Sequence, residues 1–105
     1  MGLDAWAPAK IQALMALRWT QLAKADLERI HSFLEPVSSV AALRAVRLVL
    51  ATVRRVPRHP RIGVRLPQFG PREVRRLLVS DYEVRYEISG TEIIILRVWH
   101  LREDR

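Results

Sequence analysis

The stretch YEVRYEISGTEIIILRVW, residues 82–99, decides the fold because its pattern is that of two strands joined by a turn. In its first half, apolar and polar residues alternate with a period of two, which is typical of a half-buried strand. Residues 89–91, Ser-Gly-Thr, are suited to the turn. Residues 93–99 are apolar on both faces apart from Arg97, which predicts a central strand that is covered on both sides.

The length of the turn sets which side chains of this hairpin share a face of the sheet. With a two-residue loop at Ser89-Gly90, we expect the face toward the helices to hold Tyr82, Val84, Tyr86, Ile88, Ile93, Ile95, Arg97 and Trp99. The opposite face then holds Glu83, Arg85, Glu87, Ile94, Leu96, Val98 and His100. Such a mixture of charges and exposed aliphatic groups indicates a binding surface. In the alternative, the charges form a cross-strand ladder and the loop of residues 57–72 shields the aliphatic side chains.

Two helices are predicted on the N-terminal side of this hairpin. Thr20 is a suitable N-cap for a helix over residues 21–34, whose apolar stripe consists of Ala23, Leu27, Ile30 and Leu34. Pro36 ends that helix, and Ser38 or Ser39 can cap a second helix that ends before Val56. The stripe predicted for the second helix consists of Leu43, Val46, Leu50 and Val53.

The complete order predicts an α+β domain. Residues 13–19 and residues 74–79 are two further predicted strands. The expected architecture is β-α-α-β-β-β: an N-terminal strand, then a two-helix antiparallel hairpin packed on one face of a largely antiparallel four-stranded sheet. Residues 15–105 are expected to form this single domain. Residues 1–14 are then an extension of unknown role, or the product of an upstream start codon if translation begins at Met15.

Net charge narrows the class of function. The chain of 105 residues has 18 Lys and Arg against 11 Asp and Glu, a formal net charge of +7, and Lys10 and Lys24 are its only lysines. Arginine binds carboxylates and phosphates bidentately, so this surface predicts an acidic macromolecular partner, either protein or nucleic acid. A GC-rich genome would also favour arginine over lysine, but it does not explain the net charge.

Several other classes of function find no support in the sequence. The chain has no cysteine, so a disulfide framework and a thiolate zinc site are excluded. The histidines and carboxylates lack a metal-binding spacing, and the four glycines are isolated, so we expect neither a metal nor a cofactor. The N-terminus lacks the apolar region of a signal peptide, and we expect a cytoplasmic protein.

Two features are candidates for contact with a macromolecule. Helical spacing places Arg44, Arg47, Arg54 and Arg55 within an arc of about 100°, beside the predicted buried stripe of the second helix. We call these four residues the basic ridge; the alternative is an ordinary solvated helix face. His100, at the end of the last strand near Arg97 and Arg102, could act as a general acid or base near a phosphate.

Four motifs, in this order and spacing, resemble the RelE/ParE superfamily of bacterial toxins over about residues 15–105. They are Ala-x-x-Asp-Leu-x-x-Ile at residues 23–30, Arg-Glu-Val at residues 72–74, Tyr-x-x-x-Tyr at residues 82–86, and Ile-Leu-Arg-Val-Trp-His at residues 95–100. The resemblance implies the toxin of a type II toxin–antitoxin pair. It also implies a hetero-oligomer in which an extended antitoxin segment wraps across the toxin and inactivates it.

The resemblance covers two unlike activities. RelE-like members cut mRNA on the ribosome and commonly use an arginine just after the first tyrosine-like position of the third strand, where this chain has Glu83. A carboxylate there would repel the scissile phosphate. ParE-like members, by resemblance, poison DNA gyrase by binding, without hydrolytic residues. The sequence fits them better, so we expect no catalytic residues.

The expected binding residues follow from this assignment. The predicted contacts with gyrase are Arg97, His100, Arg102 and Arg105, with Arg44, Arg47 and Arg54 of the basic ridge as a second contact. The predicted contacts with a small acidic antitoxin are Ile94, Leu96 and Val98, or the groove of the helical hairpin. One alternative is a ribosome-dependent mRNA endonuclease that places His100, Arg85 and Arg97 around the phosphate. The other is a basic binding module with no toxicity.

Overall fold

A computed structural model describes residues 15–103, which form one five-stranded sheet and a helical hairpin. The elements are β1 (Ala16–Trp19), α1 (Gln21–Leu34), α2 (Ser39–Val53), β2 (Val64–Arg65), β3 (Glu73–Val79), β4 (Tyr82–Ser89) and β5 (Glu92–His100). Short 3₁₀ turns lie at Val56–Arg58 and Pro67–Phe69. The predicted α+β class and element order are confirmed, and the additional strand is β2, within the loop before β3. The predicted extension of residues 1–14 and Arg105 lie outside the described residues.

The sheet order is β1-β5-β4-β3-β2, so the last strand lies in its interior. β1 pairs with β5 in parallel, and the other neighbouring strands are antiparallel. A parallel connection needs a long crossover, which α1 and α2 provide at the start of the chain. The helices therefore lie over one face of the sheet, which we call the helix face; the other is the outer face.

Capping side chains fix where the two helices begin. The hydroxyl of Thr20 accepts the backbone N–H of Ala23 at 3.0 Å and donates to the carbonyl of Leu96 at 3.0 Å. It therefore starts α1 and also ties the helix to β5. Of the two serines expected as caps of α2, Ser38 has this role and accepts the N–H of Ala41 at 3.1 Å.

The core lies between the helical hairpin and the helix face. The stripe predicted for α1 is confirmed, since Ala23 and Ile30 are buried and Leu27 and Leu34 are partly buried. The stripe predicted for α2 is wrong by about one residue. Its buried residues are Ala42, Ala45, Val49 and Val53, whereas Leu43 is 45% exposed. The small alanine side chains allow α2 to approach its neighbours closely, which the larger leucines would prevent.

The hairpin of β4 and β5 contains a β-bulge that strict alternation does not predict. Tyr86 pairs with Ile95, but the preceding residue, Arg85, pairs with Arg97, which leaves Leu96 without a partner residue. One extra residue in a strand exchanges its two faces beyond that point.

The bulge corrects the predicted faces at the end of β5. The exchanged residues are Arg97, Val98, Trp99 and His100. Val98 pairs with Val84 and is fully buried in the core, and His100 pairs with Tyr82, so both lie on the helix face. Arg97 and Trp99 lie on the outer face instead.

The segment of residues 60–69 covers part of the outer face and the sheet edge. Leu66 is buried and donates its N–H to the carbonyl of Val74 at 2.8 Å, and the ring of Phe69 lies 5.6 Å from the Cζ atom of Arg85. Ile94, on the same face, is only 9% exposed. The segment therefore covers the outer face around Arg85 and the sheet edge at β3.

Tyr86 anchors the beginning of that segment. Its hydroxyl donates to the carbonyl of Pro60 at 2.7 Å and accepts the N–H of Gly63 at 2.9 Å. A Cβ atom on Gly63 would lie 2.8 Å from the carbonyl oxygen of Arg76 and 2.9 Å from the Tyr86 ring. Only glycine fits there without displacing the backbone.

Candidate functional site

A buried carboxylate joins α1 to the last strand. Asp26 has almost no exposed area and accepts four hydrogen bonds. Two come from the guanidinium of Arg97 at 2.8 and 3.1 Å, one comes from Arg29 at 2.6 Å, and one comes from the backbone N–H of Val98 at 2.8 Å. The sequence shows only a weak signal for this role, because Asp26 lies about 40° outside the arc of the apolar stripe of α1.

The hydrogen bonds decide the protonation state of this group. Burial alone would raise the pKa of Asp26, because it disfavours the charged form. The hydrogen bonds from Arg97, the Val98 N–H and Arg29 outweigh burial and hold the pKa below its usual value. Asp26 is therefore a carboxylate at neutral pH, and its role is structural.

The same network fixes the turn after β5. Both carboxylate oxygens of Glu103 accept hydrogen bonds from Arg29 at 3.0 Å, and one of them also accepts the N–H of His100 at 2.8 Å. Arg29 thus bridges two carboxylates, and the direction of the chain beyond residue 100 is set by α1. The sequence analysis did not assign a role to Asp26, Arg29 or Glu103.

A groove of about 560 Å³ lies between α1 and the C-terminal turn. Its lining residues are Arg29, Ile30, Phe33, Leu34, Tyr82, His100, Arg102 and Glu103. His100 meets the Tyr82 ring edge-on at 5.2 Å, and its Nδ1 atom accepts the backbone N–H of Arg102 at 3.0 Å. The proton of the neutral imidazole is therefore on Nε2.

The predicted gyrase contacts at the C-terminus differ in accessibility. The side chain of Arg97 is 34% exposed, but its guanidinium is bound to Asp26 and lies 5.0 Å from the centre of the Trp99 ring. Arg102 is exposed, and His100 is partly exposed in the groove. Among the described residues, His100 and Arg102 are thus the members of this set that remain available to a partner.

The structure does not bring together the three residues of the nuclease alternative. Arg85 lies on the outer face, with its Cζ atom 4.7 Å from the Trp99 ring centre and 5.6 Å from that of Phe69, and it forms an ion pair with buried Glu83 at 3.0 Å. His100 lies on the opposite face of the sheet. A phosphate in the groove beside His100 would therefore not contact Arg85.

The basic ridge lies on the solvent side of α2 and the turn that follows it. Its four arginines are exposed, and none has a carboxylate partner within residues 15–103. The ridge is opposite the observed buried stripe, rather than beside it as predicted, because that stripe is shifted to the alanines. Three members, Arg44, Arg47 and Arg54, are the residues predicted as a second contact with gyrase.

The three residues predicted to bind an antitoxin are less accessible than expected. Val98 has no exposed area and packs in the core, Ile94 is 9% exposed, and Leu96 is partly buried at the bulge. They do not form one exposed aliphatic face, because the bulge places Val98 on the helix face. Six of the large exposed apolar side chains lie on the helical hairpin, and they are Leu22, Phe33, Val37, Val40, Leu43 and Leu48. The others among the described residues are Ile62, Val64, Leu78 and Leu101.

Residues 15–103 lack two other features that would indicate a function. No cluster of three or more His, Asp or Glu side chains is arranged to hold a metal ion there. In the same part of the chain, neither helix combines the length and the apolar character needed to cross a membrane.

Comparison with known proteins shows similarity to one family of proteins. Residues 17–105 match the sequence model of a family described as the ParE toxin of the type II toxin–antitoxin system, parDE. A chain of the chromosomal ParDE TA system from P. aeruginosa has a similar structure, with a TM-score of 0.70 and 28% sequence identity. That match covers 84% of this chain and 97% of the other. No curated protein matches the chain significantly.

Proposed function

The chain belongs to the ParE toxin family of type II toxin–antitoxin systems, and we propose that it stops growth by binding and poisoning DNA gyrase. In this proposal an acidic antitoxin neutralises it by forming a hetero-oligomer. The toxin acts by contact rather than by hydrolysis. The predicted contacts are the C-terminal segment, through His100 and Arg102, and the basic ridge as the second.

The separation of His100 from Arg85 by the sheet is the observation that carries this proposal. A ribonuclease needs an acid or base and a cation around one phosphate. Here Arg85 is held on the outer face by the Trp99 ring and by Glu83, whereas His100 lines the groove under α1. The guanidinium of Arg97 is bound to Asp26 of α1 and lies against the Trp99 ring. An activity that depends only on binding does not require these groups to meet.

Gyrase supercoiling of relaxed plasmid, measured with purified antitoxin-free protein, tests the proposal directly. We expect stoichiometric loss of supercoiling together with accumulation of cleaved DNA. Asp26→Asn is the structural control. Its inhibition of supercoiling should decrease only in proportion to the fraction of the variant protein that is unfolded. A folded sample that leaves supercoiling unchanged would exclude gyrase as the target.

A second candidate, ribosome-dependent mRNA cleavage, is favoured by one observation. The groove places His100, Tyr82 and the exposed Arg102 along one wall, which is enough for a base and a cation. Cleavage of mRNA in a reconstituted translation reaction by the wild-type chain, with no effect on supercoiling, would favour this candidate.

The antitoxin is proposed to cover the apolar residues of the helical hairpin. Their large exposed area suits a stable interface, and the net charge of +7 favours an acidic partner. Val98 is already buried, so it cannot supply new apolar contact without rearrangement, whereas Leu96 and Ile94 remain proposed contacts at the margin.

Hydrogen exchange of the co-purified complex tests this interface. The antitoxin should slow amide exchange in α1, in α2 or around Leu96. Unchanged exchange in all three places would contradict the proposed interface and would leave the gyrase proposal unaffected.

A further inference from the structure

The net positive charge of the chain is confined to one segment. Residues 36–72 contain eight arginines and no Asp or Glu, whereas the rest of the chain has ten cations and eleven carboxylates. The segment comprises α2, the turn after it and the loop that carries β2. The remainder is therefore almost neutral, and any attraction to a polyanion must come from this segment.

Only part of this charge is neutralised within the fold. Arg61 forms an ion pair with Glu73 at 3.0 Å, and Arg72 forms one with Glu87 at 2.7 Å. The four arginines of the basic ridge have no such partner in the part of the chain that the structure describes. Their charge is available to a ligand.

The basic ridge has the dimensions of a phosphate-binding surface. Arg44 and Arg55 are eleven residues apart, which corresponds to about 16 Å along the axis at 1.5 Å per residue. Each strand of duplex DNA has one phosphate per about 3.4 Å of axis, so the ridge spans about five phosphates of one strand. Its arginines are fixed to a regular helix and the turn that continues it.

The composition of the ridge favours nucleic acid over a protein partner. The centre of a stable protein interface consists mainly of apolar and aromatic residues, and an arginine there is surrounded by them. The arc of the ridge has no aromatic side chain. Ala51 and the exposed Val40 lie between its arginines, and the other large apolar residues nearest to it, Leu43 and Leu48, lie at its margins. The lack of aromatic groups also disfavours stacking on single-stranded bases. Protein–DNA interfaces are strongly positive and polar, as this one is.

We propose that the basic ridge binds the phosphate backbone of duplex DNA without reading its sequence. This inference rests on the proposed function, in which the ridge is a second contact with the gyrase complex, and names the ligand of that contact as DNA. Arginine suits this role because its guanidinium binds phosphate oxygens bidentately. Binding to a helix face leaves the C-terminal groove free.

Fluorescence anisotropy with a short labelled duplex tests the inference in the absence of gyrase, so its outcome is independent of the supercoiling assay. Four phosphate contacts predict that affinity falls about 150-fold between 50 and 200 mM salt. In Arg47→Gln, which keeps three contacts, affinity should fall only about 40-fold over the same salt range. In the double variant Arg44→Gln/Arg47→Gln, which keeps two contacts, it should fall about 12-fold.

Lys24→Gln is the matched control, because Lys24 is also an exposed helical cation without an ion pair among the described residues. It should keep the wild-type salt dependence. The proposal is overturned if the duplex does not bind at 50 mM salt, or if Lys24→Gln lowers the salt dependence as much as Arg47→Gln. Tighter binding of the ridge to polyglutamate than to the duplex would also overturn it and would indicate an acidic protein instead. Unfolding midpoints of all variants confirm that each is folded.

Discussion

The carboxylate of Asp26, in the middle of the first helix, accepts the backbone N–H of Val98 in the last strand at 2.8 Å. The first strand ends opposite Ile95. Beyond that point, no strand within residues 15–103 pairs with this edge of β5. There the Asp26 carboxylate, in place of a neighbouring strand, accepts a backbone hydrogen bond from β5, and the guanidinium groups of Arg97 and Arg29 balance its charge. A side chain of α1 thus continues the hydrogen bonding of the sheet edge.

Asp26→Asn should lower the free energy of unfolding by about 2–3 kcal/mol, because two guanidinium groups lose a charged acceptor and one amide oxygen must replace two carboxylate oxygens. Urea denaturation measures the change. Glu28→Gln, on the exposed side of the same helix, is the control and should change stability by less than about 0.5 kcal/mol. Equal effects of the two substitutions would contradict the role assigned to Asp26.

The acid stability of the domain should depend on the same group. Burial raises the pKa of Asp26, but its hydrogen bonds lower the pKa by more than burial raises it. The folded-state pKa therefore lies below the unfolded value of about 3.9. Its stabilising contribution is present above that unfolded value and is lost as the pH falls toward the folded pKa. Urea midpoints measured from about pH 7 down to about pH 3 should fall below about pH 4, and less steeply in Asp26→Asn. Parallel pH profiles would contradict this assignment.

Tyr86→Phe should destabilise the domain by about 1–3 kcal/mol, because the N–H of Gly63 and the carbonyl of Pro60 both lose their partner. Tyr82→Phe is a matched control, since the Tyr82 hydroxyl has no hydrogen bond within residues 15–103; its effect should be below about 0.5 kcal/mol. Thermal or urea unfolding distinguishes them. A loss of stability in Tyr82→Phe as large as in Tyr86→Phe would contradict the role assigned to the two hydrogen bonds of the Tyr86 hydroxyl.

His100→Ala should weaken inhibition of supercoiling only partly, because the proposed mechanism needs no proton transfer and the contacts through Arg102 and the basic ridge remain. A general acid or base contributes about 10²- to 10⁴-fold to a rate, so a nuclease would lose nearly all of its activity. Growth arrest after induction of each variant provides the measurement. Arg102→Gln, which removes a charge from the same groove, is the variant for comparison. Loss of arrest in a folded His100→Ala protein would count against gyrase poisoning.

Glu103→Gln should loosen the C-terminal turn without unfolding the domain. The pair with Arg29 is partly exposed, so its loss should change the free energy of unfolding by less than about 1 kcal/mol. The same carboxylate accepts the N–H of His100 at 2.8 Å, and exchange of that amide with solvent should become faster. Unchanged exchange at His100 would show that Glu103 does not fix the turn.

Local signals in the sequence predicted the secondary structure well. The N-cap at Thr20 and the break at Pro36 gave the bounds of α1, which agree with the observed Gln21–Leu34. Period-two alternation located β4, and the Ser89-Gly90 turn located the hairpin. Each of these features depends on residues that are close together in the chain.

Features that depend on distant residues were not predicted. The bulge at Leu96 changes the register between two strands, and neither strand alone carries a signal for it. The stripe of α2 was assigned to its large side chains because nearly every residue of that helix is apolar, so periodicity did not discriminate between neighbouring stripes. Asp26 was part of a recognised motif, but its role depends on residues more than seventy positions away.

The position of β5 between β1 and β4 also has a consequence for the order of events during synthesis. Its two neighbours in the sheet are made before it, and the first of them, β1, precedes it by about 75 residues. Contacts of such high sequence separation form slowly and require closure of a long loop. A nascent chain that has not yet reached residue 100 therefore lacks the strand on which both the helical hairpin and the first strand pack. We therefore expect the surfaces proposed for gyrase, DNA and antitoxin to form together, and only after residue 100 has been synthesised.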